Sequence, residues 1–482
     1  MELKENLSSD HLKFVTPDGA PFSYDITLAN QNDVVQLNIV GRKIQSNEVL
    51  SAQYLIDLSS HDYYLNAFEQ LSNDFGLRPP QNRKHVVPST KKINYQEILL
   101  ENKHKGMLYG YGDPAVLRTN QNDKPVYYLV ATSNDAPDSF PLLSSENLAD
   151  WTFLNYVFAQ GQKPAWATQV EVGSDYWAPE LHQIGDEYRL YFVARDKESK
   201  ELCIGMATSK HPELDFVPNN EPVLKGNVID PHIYIQDKQT VYLFWKEDNN
   251  DVWPSALIKL LYNNPSLITY LLNNPQDQAT ASFMVSVWPW LQHLAPMVRF
   301  MFIQVFIEAV ISRFLDIYRS LEQLTESHAA IADDIRSVLH YMKTPIYAQQ
   351  LSANGQVLVG ERTKILENDL AWEAHLIEGM WVTQQHNRYY LFYAGNDFST
   401  DQYGIGVAIA DHPLGPYRKM PEPFLQSTAR WTAPGHPSVT TSPDGKPVMF
   451  LHAYYPGQAG YKQFRALLAV GLKFEKDRVL WV

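Results

Sequence analysis

Three acidic side chains stand where strand-like runs begin. Asp113 lies in "GYGDPAVLR", Asp230 in "NVIDPHIYI" and Glu378 in "HLIEGMWV", and His436 takes a similar place in "APGHPSVTTSPDGKP". Carboxylates and imidazoles are the groups that give and take protons, so a point where these four met could do acid–base chemistry. An Asp-Pro pair is also an ordinary turn, because proline fixes its own φ and pushes the preceding residue out of the helical region. The positions therefore carry meaning only if a fold gathers carboxylates that the chain holds more than a hundred residues apart.

The elements that could gather them repeat. Five aromatic-rich runs, "VYYLVATS" from Val126, "EYRLYFVAR" from Glu187, "VYLFWKED" from Val241, "RYYLFYAGN" from Arg388 and "VMFLHAYY" from Val448, read as strands. Each follows a segment of turn-forming composition and so forms the second half of a hairpin. Three of the four intervals are about 60 residues, and the one from Val241 to Arg388 is longer by roughly one and a half units. The first halves of these hairpins open at Gly112, Trp177, Ile229, Ile377 and Gly435, beside the acidic residues and His436. Repeated four-stranded sheets around an axis make a β-propeller, whose innermost strands line a central channel. The expected fold is thus mainly β, a five-bladed β-propeller in which Asp113, Asp230, Glu378 and His436 converge at strand starts.

Two regions fall outside the repeat. Residues 1–105 mix alternating stretches such as "DVVQLNIVG" with the helical-looking "HDYYLNAFEQLSNDFG" and the linker-like "LRPPQNRKHVVPSTKK", and read as an N-terminal α+β appendage to a domain covering 106–482. Residues 253–343 read as a helical insertion in the third blade. Within it "ALIKLLYNNP" and "SLITYLLNNP" are short apolar turns stopped by Asn-Asn-Pro, and a longer periodic run follows Pro296. Pro289, His293, Pro296 and Arg299 break "ASFMVSVWPWLQHLAPMV" as a membrane span, which needs ~20 continuous apolar residues. The insertion leaves the chain after a second strand, at the face where inner strands begin. It is expected to stand beside the channel mouth, as a lid or as a surface for protein or membrane contact.

In this order the motifs resemble glycoside hydrolase family 43, the five-bladed propeller glycosidases, from about Gly110 to the C-terminus apart from the long interval. "YWAPELHQIGDEYRLYFVA", "SSENLADWTF" and "YGIGVAIADHPLGPY" add to the likeness, and Met380 departs from it where the family usually has proline after Glu-Gly. The resemblance implies an inverting glycosidase acting on a pentose-containing oligosaccharide or small glycoside, of the α-L-arabinofuranoside or β-xyloside type. It implies Asp113 as general base, Glu378 as general acid and Asp230 as the group that orients the acid and raises its pKa. It also places His436 and Arg465 near the axis, with Trp177 at a blade entrance either stacking on a sugar face or filling space between blades. No cofactor is required, although the family histidine often lies beside a largely water-coordinated metal, so His436 is a candidate neighbour of a structural calcium ion. A catalytically silent binding or scaffolding propeller, with the insertion as its interaction surface, is the competing expectation.

Composition limits the rest. With 54 acidic and 40 basic residues the net charge is -14, which opposes a sequence-independent grip on nucleic acid. Cys203 is the only cysteine, so no intrachain disulfide forms. Charges in "MELKENLSSDHLKF" interrupt what a signal peptide would need as an apolar core, so a cytoplasmic location is expected, or export by a route without a readable signal.

Overall fold

The computed structural model describes residues 93–169, 174–294, 299–300 and 302–482. Nearer the N-terminus it describes the strands Lys4–Ser8, Phe14–Val15, Pro21–Gln31, Val34–Lys43 and Val49–Asp57 and the short stretches 69–70, 72–74 and 76–79. Most of the helical-looking stretch from His61 and most of the linker-like stretch that follows lie outside the described residues. The chain divides into two compact units, one of residues 83–248 with 344–482 and one of residues 1–82 with 249–343.

The larger unit is the repeat. Among its described residues, five antiparallel sheets begin with the inner strands Ala115–Gln121, Trp177–Ile184, Val228–Ile235, Ile377–Gln385 and Thr432–Thr441. Each inner strand neighbours the next, and the fifth returns to the first, so the inner strands close a ring. The second strands, Lys124–Val130, Glu187–Arg195, Val241–Glu247, Arg388–Gly395 and Pro447–Tyr454, follow across tight turns. Two of these turns, Asn122-Asp123 and His386-Asn387, have positive φ at both central residues, which matches hairpin twist.

The aromatic runs have a physical reason. Each second strand is covered on both faces, so its alternate side chains enter two different inter-blade cores. In the first blade Tyr128 and Val130 pack towards the second blade, while Tyr127 and Leu129 pack towards the fifth. Tyr191 with Leu243 and Trp245, Phe244 with Leu391 and Tyr393, and Phe392 with Leu451 fill the three remaining interfaces. A propeller made this way has its core distributed around the ring.

Closure uses the residues just ahead of the first blade. The fifth sheet's third strand, Ala466–Glu475, pairs with the final strand Arg478–Trp481 and also with Gln96–Leu99. Residues 93–105, assigned from sequence to the N-terminal appendage, thus supply a strand of the last blade. In the third blade the second strand pairs directly with Ile346–Leu351, so residues 248–345 are inserted between adjacent strands of one sheet.

In the smaller unit the five N-terminal strands form one antiparallel sheet. The insertion contributes helices Val252–Asn263, Leu267–Leu271, Pro275–Leu291, Gln304–Ile311, Phe314–Ser327 and Ala332–Tyr341. Helix Pro275–Leu291 lies against strands Lys4–Ser8 and Phe14–Val15, and Arg78 pairs with its Asp277 at 2.8 Å. The two regions read from sequence as separate additions therefore pack together. No helix among the described residues is long and apolar enough to cross a membrane.

Candidate active site

Every inner strand starts with the same backbone irregularity. Asp113, Ala178, Asp230, Gly379 and His436 occupy one position in each blade, all with φ between 43° and 56°. In the second to fifth blades the pairing register shifts just there, as at a β-bulge, which re-aims the side chains around it. Asp113, Asp230 and His436 hold the left-handed position itself, whereas Glu378 precedes it, on the residue equivalent to Gly112, Trp177, Ile229 and Gly435. The three carboxylates are thus not strict counterparts: Glu378 leaves the backbone one residue earlier.

Asp113 is held as an anion. Arg465 Nη1 donates to its Oδ1 at 2.8 Å, His436 Nδ1 lies 3.3 Å from the same oxygen, and the Thr132 hydroxyl donates to Oδ2. Burial works against this charge, but Arg465, His436, His452 and Thr132 outweigh it and keep the carboxyl well below the usual carboxylate range. Thr132 is oriented by the neighbouring blade, since its oxygen accepts the Ala178 N–H at 2.8 Å. His452 Nδ1 accepts the Asp113 backbone N–H at 3.1 Å, which puts the neutral ring's proton on Nε2.

Glu378 is in the opposite condition. Burial raises its pKa to about 7, aided by the charges of Asp230 and Asp248 and opposed by Lys246 and the Tyr403 hydroxyl. That hydroxyl donates to Oε1 at 2.8 Å, and Lys246 Nζ lies 3.5 Å from Oε2. Asp230 accepts the Gly379 N–H at 2.7 Å, the backbone amide next to Glu378. Burial pushes Asp230 up as well, against His436 and Lys246. One buried carboxylate thus stays ionised while another holds its proton near neutrality, the division that acid–base catalysis requires.

Close packing joins the parts. A Cβ on Gly379, whose φ is +56°, would meet His436 Nδ1 at 2.9 Å, and one on Gly112 would collide with the Arg465 guanidinium. Tyr403 stacks on His452, with ring centroids 6.4 Å apart. Asp113, Asp230, Glu378, His436 and Arg465, all named from sequence, therefore meet in one constellation. Trp177 does not join its hydrogen bonds: it packs on Val193, Leu202 and Ile229, and its indole N–H has no partner among the described residues.

Thr132, Lys246, Tyr403 and His452 were not named from sequence as site residues. A signal was present for three of them, because Thr132, Lys246 and His452 interrupt the apolar second-strand runs at nearly the same place. Further along the inner strands, Glu180 binds His182 and His232 at 2.7 and 3.0 Å. His232 Nε2 accepts the Val382 N–H, so this group ties the second, third and fourth blades together.

No group of three or more His, Cys, Asp or Glu among the described residues is placed to hold a metal. The donors beside His436, one imidazole and an already paired Asp113, form no protein cage for calcium, which takes six to eight oxygens. We propose that any calcium ion beside His436 is held largely by water.

Comparisons with known proteins identify the family and the fold. The family model for glycosyl hydrolases family 43 matches residues 108–288 and 334–480, well over half of the chain. A xylosidase/arabinosidase 43A of Humicola insolens is 38% identical over 74 residues, which cover 15% of this chain and 22% of that protein. A probable arabinan endo-1,5-alpha-L-arabinosidase A of Aspergillus flavus is 28% identical over 147 residues, 28% of this chain and 42% of that one. The chain thus matches less than half the length of these relatives. Among solved structures, a thermostable family-43 glycoside hydrolase superposes with a TM-score of 0.52 at 23% identity, over 77% of this chain and 92% of that one.

Proposed function

The chain belongs to glycosyl hydrolases family 43, and from that premise we propose that it hydrolyses a pentosidic bond, of the β-xyloside or α-L-arabinofuranoside type, with inversion. The observation that carries this reading is the opposite electrostatic condition of two carboxylates in one site: Asp113 held ionised and Glu378 raised to about 7. In an inverting reaction one carboxylate takes a proton from water while a carboxylic acid on the other side gives one to the departing oxygen, the two groups standing roughly 6.5–9.5 Å apart. Asp113 and Glu378 come from the first and fourth blades, which are not adjacent, with His436 of the fifth blade between them.

In this mechanism Asp113, oriented by Arg465 and Thr132, accepts a proton from the attacking water. Glu378 passes its proton to the glycosidic oxygen as the bond to carbon breaks and the electron pair stays on that oxygen. Asp230 fixes the backbone beside Glu378 through the Gly379 amide, and its negative charge favours the protonated acid. The pentose preference is supported by two of the relatives, one a xylosidase/arabinosidase and the other a probable arabinan endo-1,5-alpha-L-arabinosidase.

A panel of nitrophenyl pentosides and hexosides tests the reading. Release of nitrophenol from a xyloside or arabinofuranoside, lost in Asp113→Asn, is the expected result. A folded protein silent on every member of the panel would overturn it.

A further inference from the structure

Lys246 is the penultimate residue of the second strand of the third blade, and its side chain is fully buried. Its Nζ stands 3.5 Å from Glu378 Oε2 and 3.4 Å from Asp248 Oδ1. Burial works against the ammonium, but Asp248, Glu378 and Asp230 outweigh it and keep Lys246 charged. For a group that must hold a proton, a cation is an unhelpful neighbour, because it favours the carboxylate. The placement makes sense for what Glu378 becomes. When its O–H bond breaks, the electron pair stays on the carboxyl, the proton bonds to the departing oxygen, and a new anion appears in a buried site that already contains Asp230.

We propose that Lys246 is a positioning residue for the acid step: its ammonium receives the carboxylate that Glu378 forms on giving up its proton. The proposal rests on the reading of Glu378 as the acid. The groups that face Glu378 are Lys246 and Asp248 at the end of the second strand of the third blade, Asp230 from the inner strand of that blade, and Tyr403 at the edge of strand Gly404–Ala410. Lys246 and Tyr403 draw the proton off, and Asp230 and Asp248 keep it on. Without Lys246 the acid is more fully protonated but weaker, so the cost falls on leaving groups that need a strong proton donor.

The test is an infrared pH titration of the protonated carboxyl band of Glu378, isolated by subtracting Glu378→Gln, in the full-length protein. In Lys246→Met the midpoint should rise by about one pH unit, and Lys246→Arg should return it towards the parent value. Alongside, Lys246→Met should lose about tenfold or more in kcat on an alkyl pentoside and much less on a dinitrophenyl pentoside. A folded Lys246→Met with an unmoved or lowered midpoint overturns the proposal. Should that variant not fold, Asp248→Asn serves: it removes a charge that favours the proton and leaves the ammonium less neutralised, so the midpoint should fall, and an unmoved or raised midpoint overturns the proposal. The titration needs no turnover, so a protein silent on all glycosides would sink the assigned reaction, whereas an unmoved midpoint in an active enzyme would sink the role of Lys246 alone.

Discussion

At the scale of the residue, proton affinity divides the site, and substitution should expose the division. Glu378→Gln should lower kcat by about 10³-fold or more on glycosides with poor leaving groups and far less on dinitrophenyl glycosides, because a good leaving group needs little protonation. Asp113→Asn should remove both activities, since water must be activated whatever departs. Equal, mild losses in both variants would show the roles to be misassigned. Stability carries a second mark. Because Glu378 titrates at about 7 in the folded protein, above its ordinary 4.5, the native state binds more protons than the unfolded chain between those values. Stability is then lost as pH rises through this window, by on the order of 3 kcal/mol. Glu378→Gln removes that loss, so its Tm should exceed the parent's at pH 8 by more than at pH 5; no pH-dependent difference would contradict the buried, protonated acid. Asp113, Asp230 and Glu378 were legible because acidic residues at strand starts stand out. Thr132 and Lys246 left only a trace, a polar residue breaking an apolar second-strand run, and Tyr403 left none, since it adjoins a run whose apolar character reads as core.

At the scale of the element, the inner strand is the device that aims the chemistry. Its left-handed residue recurs in all five blades, and Gly379 fills that position where His436 needs the space a Cβ would take. Gly379→Ala should displace the His436 ring and turn the Glu378 backbone. The expected loss is tenfold or more in kcat/KM, with about 1–2 kcal/mol of stability, since a non-glycine residue at positive φ is strained. A fully active Gly379→Ala would show that the close packing there does not position the site. Sequence pattern disclosed the hairpins, because turn composition and both-face burial leave clear traces in Asn122-Asp123 and in "YYLFYAG". It did not disclose the one-residue offset of Glu378, because pairing register at a bulge depends on contacts with the neighbouring strand.

At the scale of the whole molecule, the ring is closed by a segment distant in sequence from the blade it completes. Leu99 pairs with Leu467 and is buried among Met107, Tyr111, Leu129 and Phe450, joining the fifth blade to the first. Leu99→Ala should therefore cost about 2–4 kcal/mol, as deletion of a buried leucine does, read as a lower urea midpoint. A change below about 0.5 kcal/mol would mean that this strand is not needed for closure. The number of blades was readable from the recurring hairpins, but this partner strand was not, because four residues of "QEIL" carry no repeat signal. The packing of the N-terminal sheet with the inserted helices was equally hidden, since nothing in either pattern names the other. The roles of Asp113 and Glu378 require water to attack from the face opposite the departing group. Proton NMR of the first sugar released from an aryl β-xyloside or α-L-arabinofuranoside, recorded before mutarotation, reads this directly. Inversion predicts α-xylose or β-arabinose as the first product; release of the β-xylose or α-arabinose form first would contradict the assigned roles of Asp113 and Glu378.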